Sequence, residues 1–241
     1  MRSFGSAARS AASRLGQAPR LRSRPWTSAA ATAAARQVRL EHSSASAESK
    51  HSKSPLHDFH LEHGAKMVGF AGWMMPLQYG GTSLTESHLF TRSHASLFDV
   101  SHMAQHLFRG PRAADFLETV TPSAIGSMAP MQSKLTTLLW PGTGGIVDDM
   151  VVTRLGSAEF HAVTNAGNRA KDEQYLEEQL AGADGVEWTR LPGEGLVALQ
   201  GPLAAEVLRD ALASELDLGR LYFGNAAWAR LRLGDGSACP S

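Results

Sequence analysis

Between residues 133 and 167 short apolar-rich runs are separated by turn residues, the pattern of strands joined by turns. "SKLTTLLW" (133–140) and "GIVDDMVVTRL" (145–155) are two strand-like runs joined by "PGTGG", a turn signal, and "EFHAVTNAG" (159–167) reads as a third strand. A helical pattern takes over at "RAKDEQYLEEQL" (169–180), with Asn168 placed to cap it and Gly182 to end it. Upstream, "TSLTESHLFTRSHASLF" (82–98) predicts a helix opened by the capping box Ser83-x-x-Glu86. "LFDVSHMAQHLFRG" (97–110) predicts one strand, and "PRAADFLETV" (111–120) a short helix with Pro111 in its first turn. "GLVALQGP" (195–202) predicts a strand and "LAAEVLRDAL" (203–212) a helix. Strands joined by turns or by single helices predict an α+β fold, not a regular βαβ series.

Composition narrows this picture. The 241 residues suffice for one large domain or two small ones. No apolar run has transmembrane length. The single cysteine, Cys239, leaves no internal disulfide framework and no cysteine-based metal site. The formal net charge of zero hides an asymmetry: residues 1–40 carry eight Arg and no Asp or Glu. The rest then holds 15 basic and 23 acidic residues, about −8, which argues against nucleic-acid binding. An acid-free start rich in Ala, Ser and Arg has the composition of a mitochondrial transit peptide, and "EHSSASAESKHSKS" (41–54) that of a polar linker. The boundary is set at 47/48.

Three clusters invite chemical readings. His57, His60 and His63 at helical spacing spread over roughly 120°, too wide for a compact metal-ligand set. Asp99, Ser101 and His102 lie close in sequence, but strand alternation turns His102 away from the other two, and no GxSxG elbow is present. A P-loop and a GxGxxG fingerprint are also missing. Asp148 and Asp149 sit side by side in an apolar strand. Neighbouring strand residues face opposite ways, so one reaches solvent and the other points inward. A buried carboxylate is tolerated when it is hydrogen-bonded, and a flat heterocycle with several N–H groups would be a suitable partner. On the residues alone, that reading and plain capping of the "GTGG" turn, or an edge strand, both stay open.

"PLHDFHLEHGAKMVGFAGWMMPLQY" (55–79), "SLFDVSHM" (96–103), "GGIVDDMVV" (144–152), "VTNAGNRAKD" (163–172) and "LVALQGP" (196–202) resemble, in that order, the aminomethyltransferase family, T-protein of the glycine cleavage system. The resemblance covers about residues 55–233 and implies a folate-binding T-protein fold with interleaved N-terminal domains. It implies transfer of a one-carbon unit from the aminomethyl-lipoyl arm of H-protein to tetrahydrofolate, with release of ammonia. It places Asp149 at the reacting folate nitrogens as the catalytic residue, and Asp148 as the outward or structural member. It places Met103, Thr136, Val151 and Asn165 around the folate. It also implies a mitochondrial matrix location, and neither a metal nor membrane insertion. Family members continue into an R-x-G-Y-T-G-E-D-G motif and a C-terminal β-barrel domain, whereas this sequence ends in "ARLRLGDGSACPS". Residues 48–241 are therefore expected to be an incomplete aminomethyltransferase folate-binding domain. An inactive truncated product, or a folate-binding non-catalytic relative of the iron–sulfur assembly type, is the alternative.

Overall fold

The computed structural model describes residues 51–232 and Gly234; the Arg-rich start, the 47/48 boundary and Cys239 lie outside the described residues. Strand β1 (Ser52–Lys53) and helix α1 (His57–Glu62) precede a hairpin of β2 (Ala65–Phe70) and β3 (Trp73–Tyr79). These strands pair in the order β1-β3-β2. The hairpin turns on Ala71 and Gly72, at φ 49° and 81°. Two central residues at positive φ give a turn whose twist matches that of its strands.

Helix α2 (Leu84–Ser93) opens with the predicted capping box. Ser83 Oγ accepts from Glu86 N at 3.2 Å, and Glu86 Oε2 accepts from Ser83 N at 2.8 Å. It ends short of the predicted residue 98, because Ser96–Asp99 leave as β4 to pair antiparallel with β10 (Val197–Gln200). The single strand predicted over 97–110 is thus two strands, β4 and β5 (Ala104–Arg109), in different sheets. A turn separates them, with Met103 N donating to Val100 O at 3.0 Å.

Helix α3 (Ala113–Val120) starts after Arg112, so Pro111 stands before its first turn, not in it. The predicted hairpin forms as β6 (Ser133–Leu139) and β7 (Ile146–Arg154), followed by β8 (Glu159–Thr164), α4 (Arg169–Leu180), β9 (Glu187–Arg190) and α5 (Ala204–Ala211). Asn168 occupies the N-cap of α4 but makes no capping bond; its side chain turns to Asp148. Five strands pair antiparallel in the order β6-β7-β8-β5-β9. On one face Phe108, Met150 and Phe160 of the sheet meet Phe116 and Leu117 of α3 and Leu176 of α4. Each such side chain contributes roughly 1.5–3 kcal/mol on full burial. The other face is open along β6 and β7, with Leu135 69% and Val151 41% exposed, and closed at β5, where Gln105 and Leu107 are buried. The mixed helix and strand content and the single dominant sheet agree with the α+β reading.

Candidate active site around Asp149

The pleat of β7 is broken once. Leu138 pairs with Asp148 and Leu139 with Ile146, so Val147 is an extra residue. A bulge of this kind changes which face the following side chains take. Val147 and Asp148 are consequently both buried, and strict alternation resumes after them. Asp148 points to the helical side and is 8% exposed. Asp149 points to the open side and is exposed.

Asn165 follows the end of β8 and spans the two carboxylates. Its Nδ2 donates to Asp148 Oδ1 at 3.1 Å and to Asp149 Oδ1 at 2.9 Å. The register explains the meeting: Met150 pairs with Thr164, so the next row brings Asp149 beside Asn165. Ala104 also pairs with Thr164, so Met103, half-buried, ends the same row. Val151 lies two residues along β7 on the face of Asp149. Thr136 does not join them. It pairs with Met150, is 6% exposed on the helical face, and accepts from Ser123 Oγ at 2.9 Å. Thr137, not Thr136, is the partner of Asp149 across β6.

Burial raises the Asp148 carboxyl, but hydrogen bonds from Asp172, Asn165, Asn168 and the Asp149 backbone outweigh it and hold it below the ordinary range. Behind it, burial and then contact with Asp148 push Asp172 up to about 7. Two cations frame the start of α4. Lys171 Nζ donates to Val147 O at 2.7 Å, and Arg169 donates from its Nη2 to His102 O at 3.0 Å. The Arg169 guanidinium also lies 5.5 Å from the Trp73 ring centre, tying α4 to the first hairpin. Further along the open face, a cavity of about 470 Å³ lies among Gln105, Leu107, His161 and Trp228. A second cavity of about 760 Å³, beside α2, contains none of the residues considered above.

Asp99 belongs to a different cluster. Its Oδ2 accepts from Ser54 Oγ at 2.7 Å and meets His60 Nε2 at 2.8 Å, while Tyr79 Oη bonds His60 Nδ1 at 2.6 Å. Ser101 lends its backbone N–H to Asp99 Oδ1, and its hydroxyl is taken up by the backbone of Leu196. Ser101 and Asp99 therefore hold a turn and do not form a nucleophile and its relay. His63 Nδ1 bonds Phe59 O at 2.8 Å. Among the described residues no group of three His, Cys, Asp or Glu is arranged to hold a metal. The partnership of His60 with Asp99, 39 residues apart, has no signal in local sequence pattern.

A family model described as the GCVT N-terminal domain matches residues 56–235. The chain belongs to this family. A probable mitochondrial aminomethyltransferase of Schizosaccharomyces pombe is 40% identical over 195 residues, 81% of this chain and 50% of the relative. The mitochondrial aminomethyltransferase of Homo sapiens is 43% identical over 181 residues, 73% of this chain and 43% of the relative. The crystal structure of glycine cleavage system aminomethyltransferase T from Bartonella henselae superposes with a TM-score of 0.66 at 40% identity, covering 72% of this chain and 46% of that one. The chain thus spans about half the length of the curated relatives it matches. Its GCVT match includes every residue of the Asp149 row.

Proposed function

We propose that this chain carries the folate-side half of an aminomethyltransferase site of the glycine cleavage system, acting in mitochondria with lipoylated H-protein as partner and tetrahydrofolate as acceptor. One observation carries the reading: Asp149 is the exposed carboxylate of the pair, clamped by Asn165 beside an apolar surface of Val151 and Leu135. The flat ring of a pterin suits that surface, and its amine nitrogen suits the carboxylate. The 470 Å³ cavity along the same face offers room for the rest of an elongated ligand. The mitochondrial names of the eukaryotic relatives support the location.

The chemistry required is modest. A folate amine attacks the aminomethyl carbon, ammonia leaves, the carbon–sulfur bond breaks, and the sulfur takes a proton as the methylene bridges two folate nitrogens. Asp149 orients the amine, accepts the proton it sheds and stabilises the cationic methylene intermediate. Its Oδ1 is held by Asn165, which leaves Oδ2 for the ligand. Met103 and Val151 pack against the ring, and Thr136 takes no direct part.

Titrating the full chain with tetrahydrofolate by calorimetry tests this. Saturable binding is expected, lost in Asp149→Ala and weakened at least tenfold in Asp149→Asn with thermal stability unchanged. Transfer from lipoylated H-protein should fall by about 10²–10⁴-fold in Asp149→Asn. Binding or transfer at near wild-type level in a folded Asp149→Asn chain would sink the reading.

A further inference from the structure

Behind Asp149 a polar chain runs into the core. Asp172, in the first turn of α4, is fully buried. Its carboxyl lies against that of Asp148, with the Thr164 hydroxyl beside it. Read as two carboxylates, Asp172 Oδ1 and Oδ2 and Asp148 Oδ2 are buried without a donor. Such oxygens are costly, and two anionic carboxyls in contact repel. A proton between them removes the repulsion and supplies Asp148 with a donor, because protonated Asp172 donates to Asp148. Asp148 stays an anion, and its Oδ1 accepts from Asn165. The two hydrogens on Asn165 Nδ2 serve Asp148 and Asp149 at once. On the inner side His106 Nε2 is 3.1 Å from Thr164 Oγ1. Burial, then the charges of Arg169, His161 and Arg190, hold His106 down to about 4, so it stays neutral.

We propose that Asp172 is a positioning residue for Asp149: it shares one proton with Asp148, and that proton keeps Asn165 clamped across Asp148 and Asp149. The inference rests on the reading of Asp149 as the ligand's carboxylate. Loss of the proton places two charges side by side, loosens Asp148 from Asn165 and frees Asp149 to turn. The groups facing Asp172 are Asp148 from β7, Thr164 of β8 with neutral His106 behind it, and Lys171 from its own helix, while Asn168 bonds Asp148. Lys171 is occupied at Val147 O. With Asp172 pushed up to about 7, the change falls in the neutral range.

The test uses the full chain labelled with ¹³Cγ-aspartate and ¹⁵N-asparagine, titrated by NMR over about two pH units either side of neutrality. One carboxyl should titrate near the midpoint given above, and the Asn165 side-chain amide signals should shift with the same midpoint. Asp172→Asn keeps an N–H donor for Asp148 and removes the ionisation. It should abolish both titrations and hold the Asn165 signals at their low-pH positions. Thr164→Val guards against a variant that fails to fold. It removes a hydroxyl that lowers the Asp172 pKa, so the shared midpoint should move up. No neutral carboxyl titration overturns the shared proton, and Asn165 signals that stay flat through it overturn the clamp. In parallel, tetrahydrofolate affinity should drop about tenfold on passing from one unit below the midpoint to two units above it, and should be flat in Asp172→Asn. Equal wild-type affinity at both ends overturns the coupling. The absence of folate binding at any pH, with the NMR coupling present, counts against the proposed function and supports the positioning role.

Discussion

Asp99 shows how donors decide the charge of a buried carboxyl. Its side chain is fully buried, which alone would raise its pKa. Hydrogen bonds from Ser101, His60 and Ser54 outweigh burial and hold it below the ordinary range. A folded pKa below the unfolded one means that the contribution to stability is present above the unfolded value. It is lost as pH falls through the folded value. Asp172 has the opposite sign: its pKa is raised, so its contribution is fully present below the unfolded value of 3.8 and is lost as pH rises through about 7. Asp99→Asn should therefore flatten the acid limb of the stability curve below about pH 4 and cost about 1–3 kcal/mol near neutrality. Urea unfolding at a series of pH values checks both. An unchanged acid limb would mean that Asp99 is not the ionised centre of its cluster.

At the scale of elements, legibility followed periodicity. The β6–β7 hairpin could be read because two apolar-rich runs flank "PGTGG", and α2 because Ser83 and Glu86 carry a capping box. The break between β4 and β5 could not, because the turn at "VSHM" contains no Gly or Pro to announce it. The same limit applies to the site. The pair Asp148 and Asp149 was legible as one inward and one outward carboxylate, but Asp148, expected to be the outward or structural member, is the inward one because of the bulge at Val147. Thr136 lies near Asp149 on the adjacent strand, but the register pairs it with Met150 and so turns it to the other face. Asp172, His60 and the Asp99 cluster depend on contacts between distant segments, which no local pattern encodes. Gly201 has a local requirement that can be tested. It follows β10 at φ 119°, and a Cβ there would run into the backbone oxygens of His94 and Thr91. Gly201→Ala should cost about 1–3 kcal/mol for the backbone conformation alone, more if the contact does not relax. A denaturant midpoint equal to wild type would show that the β4–β10 corner yields.

A sheet covered by helices on one face must leave its other face to solvent or to another layer. Here α3 and α4 cover one face, and the other presents Leu135 and Val151 beside Asp149. The same exposure that makes Asp149 available to a ligand leaves apolar side chains in water, and contiguous apolar surface promotes association. The apolar exposure can be changed without touching the carboxylate, because Leu135 sits across from Val151 on β6 while Asp149 pairs with Thr137. Leu135→Lys should leave the unfolding free energy within about 0.5 kcal/mol of wild type, as expected for an exposed position. It should also reduce binding of a hydrophobic dye and slow the growth of light scattering on concentration. A loss of stability well beyond that figure would show that Leu135 is covered in solution. The open face would then be an interface between copies of the chain, and ligand binding at Asp149 would have to compete with it.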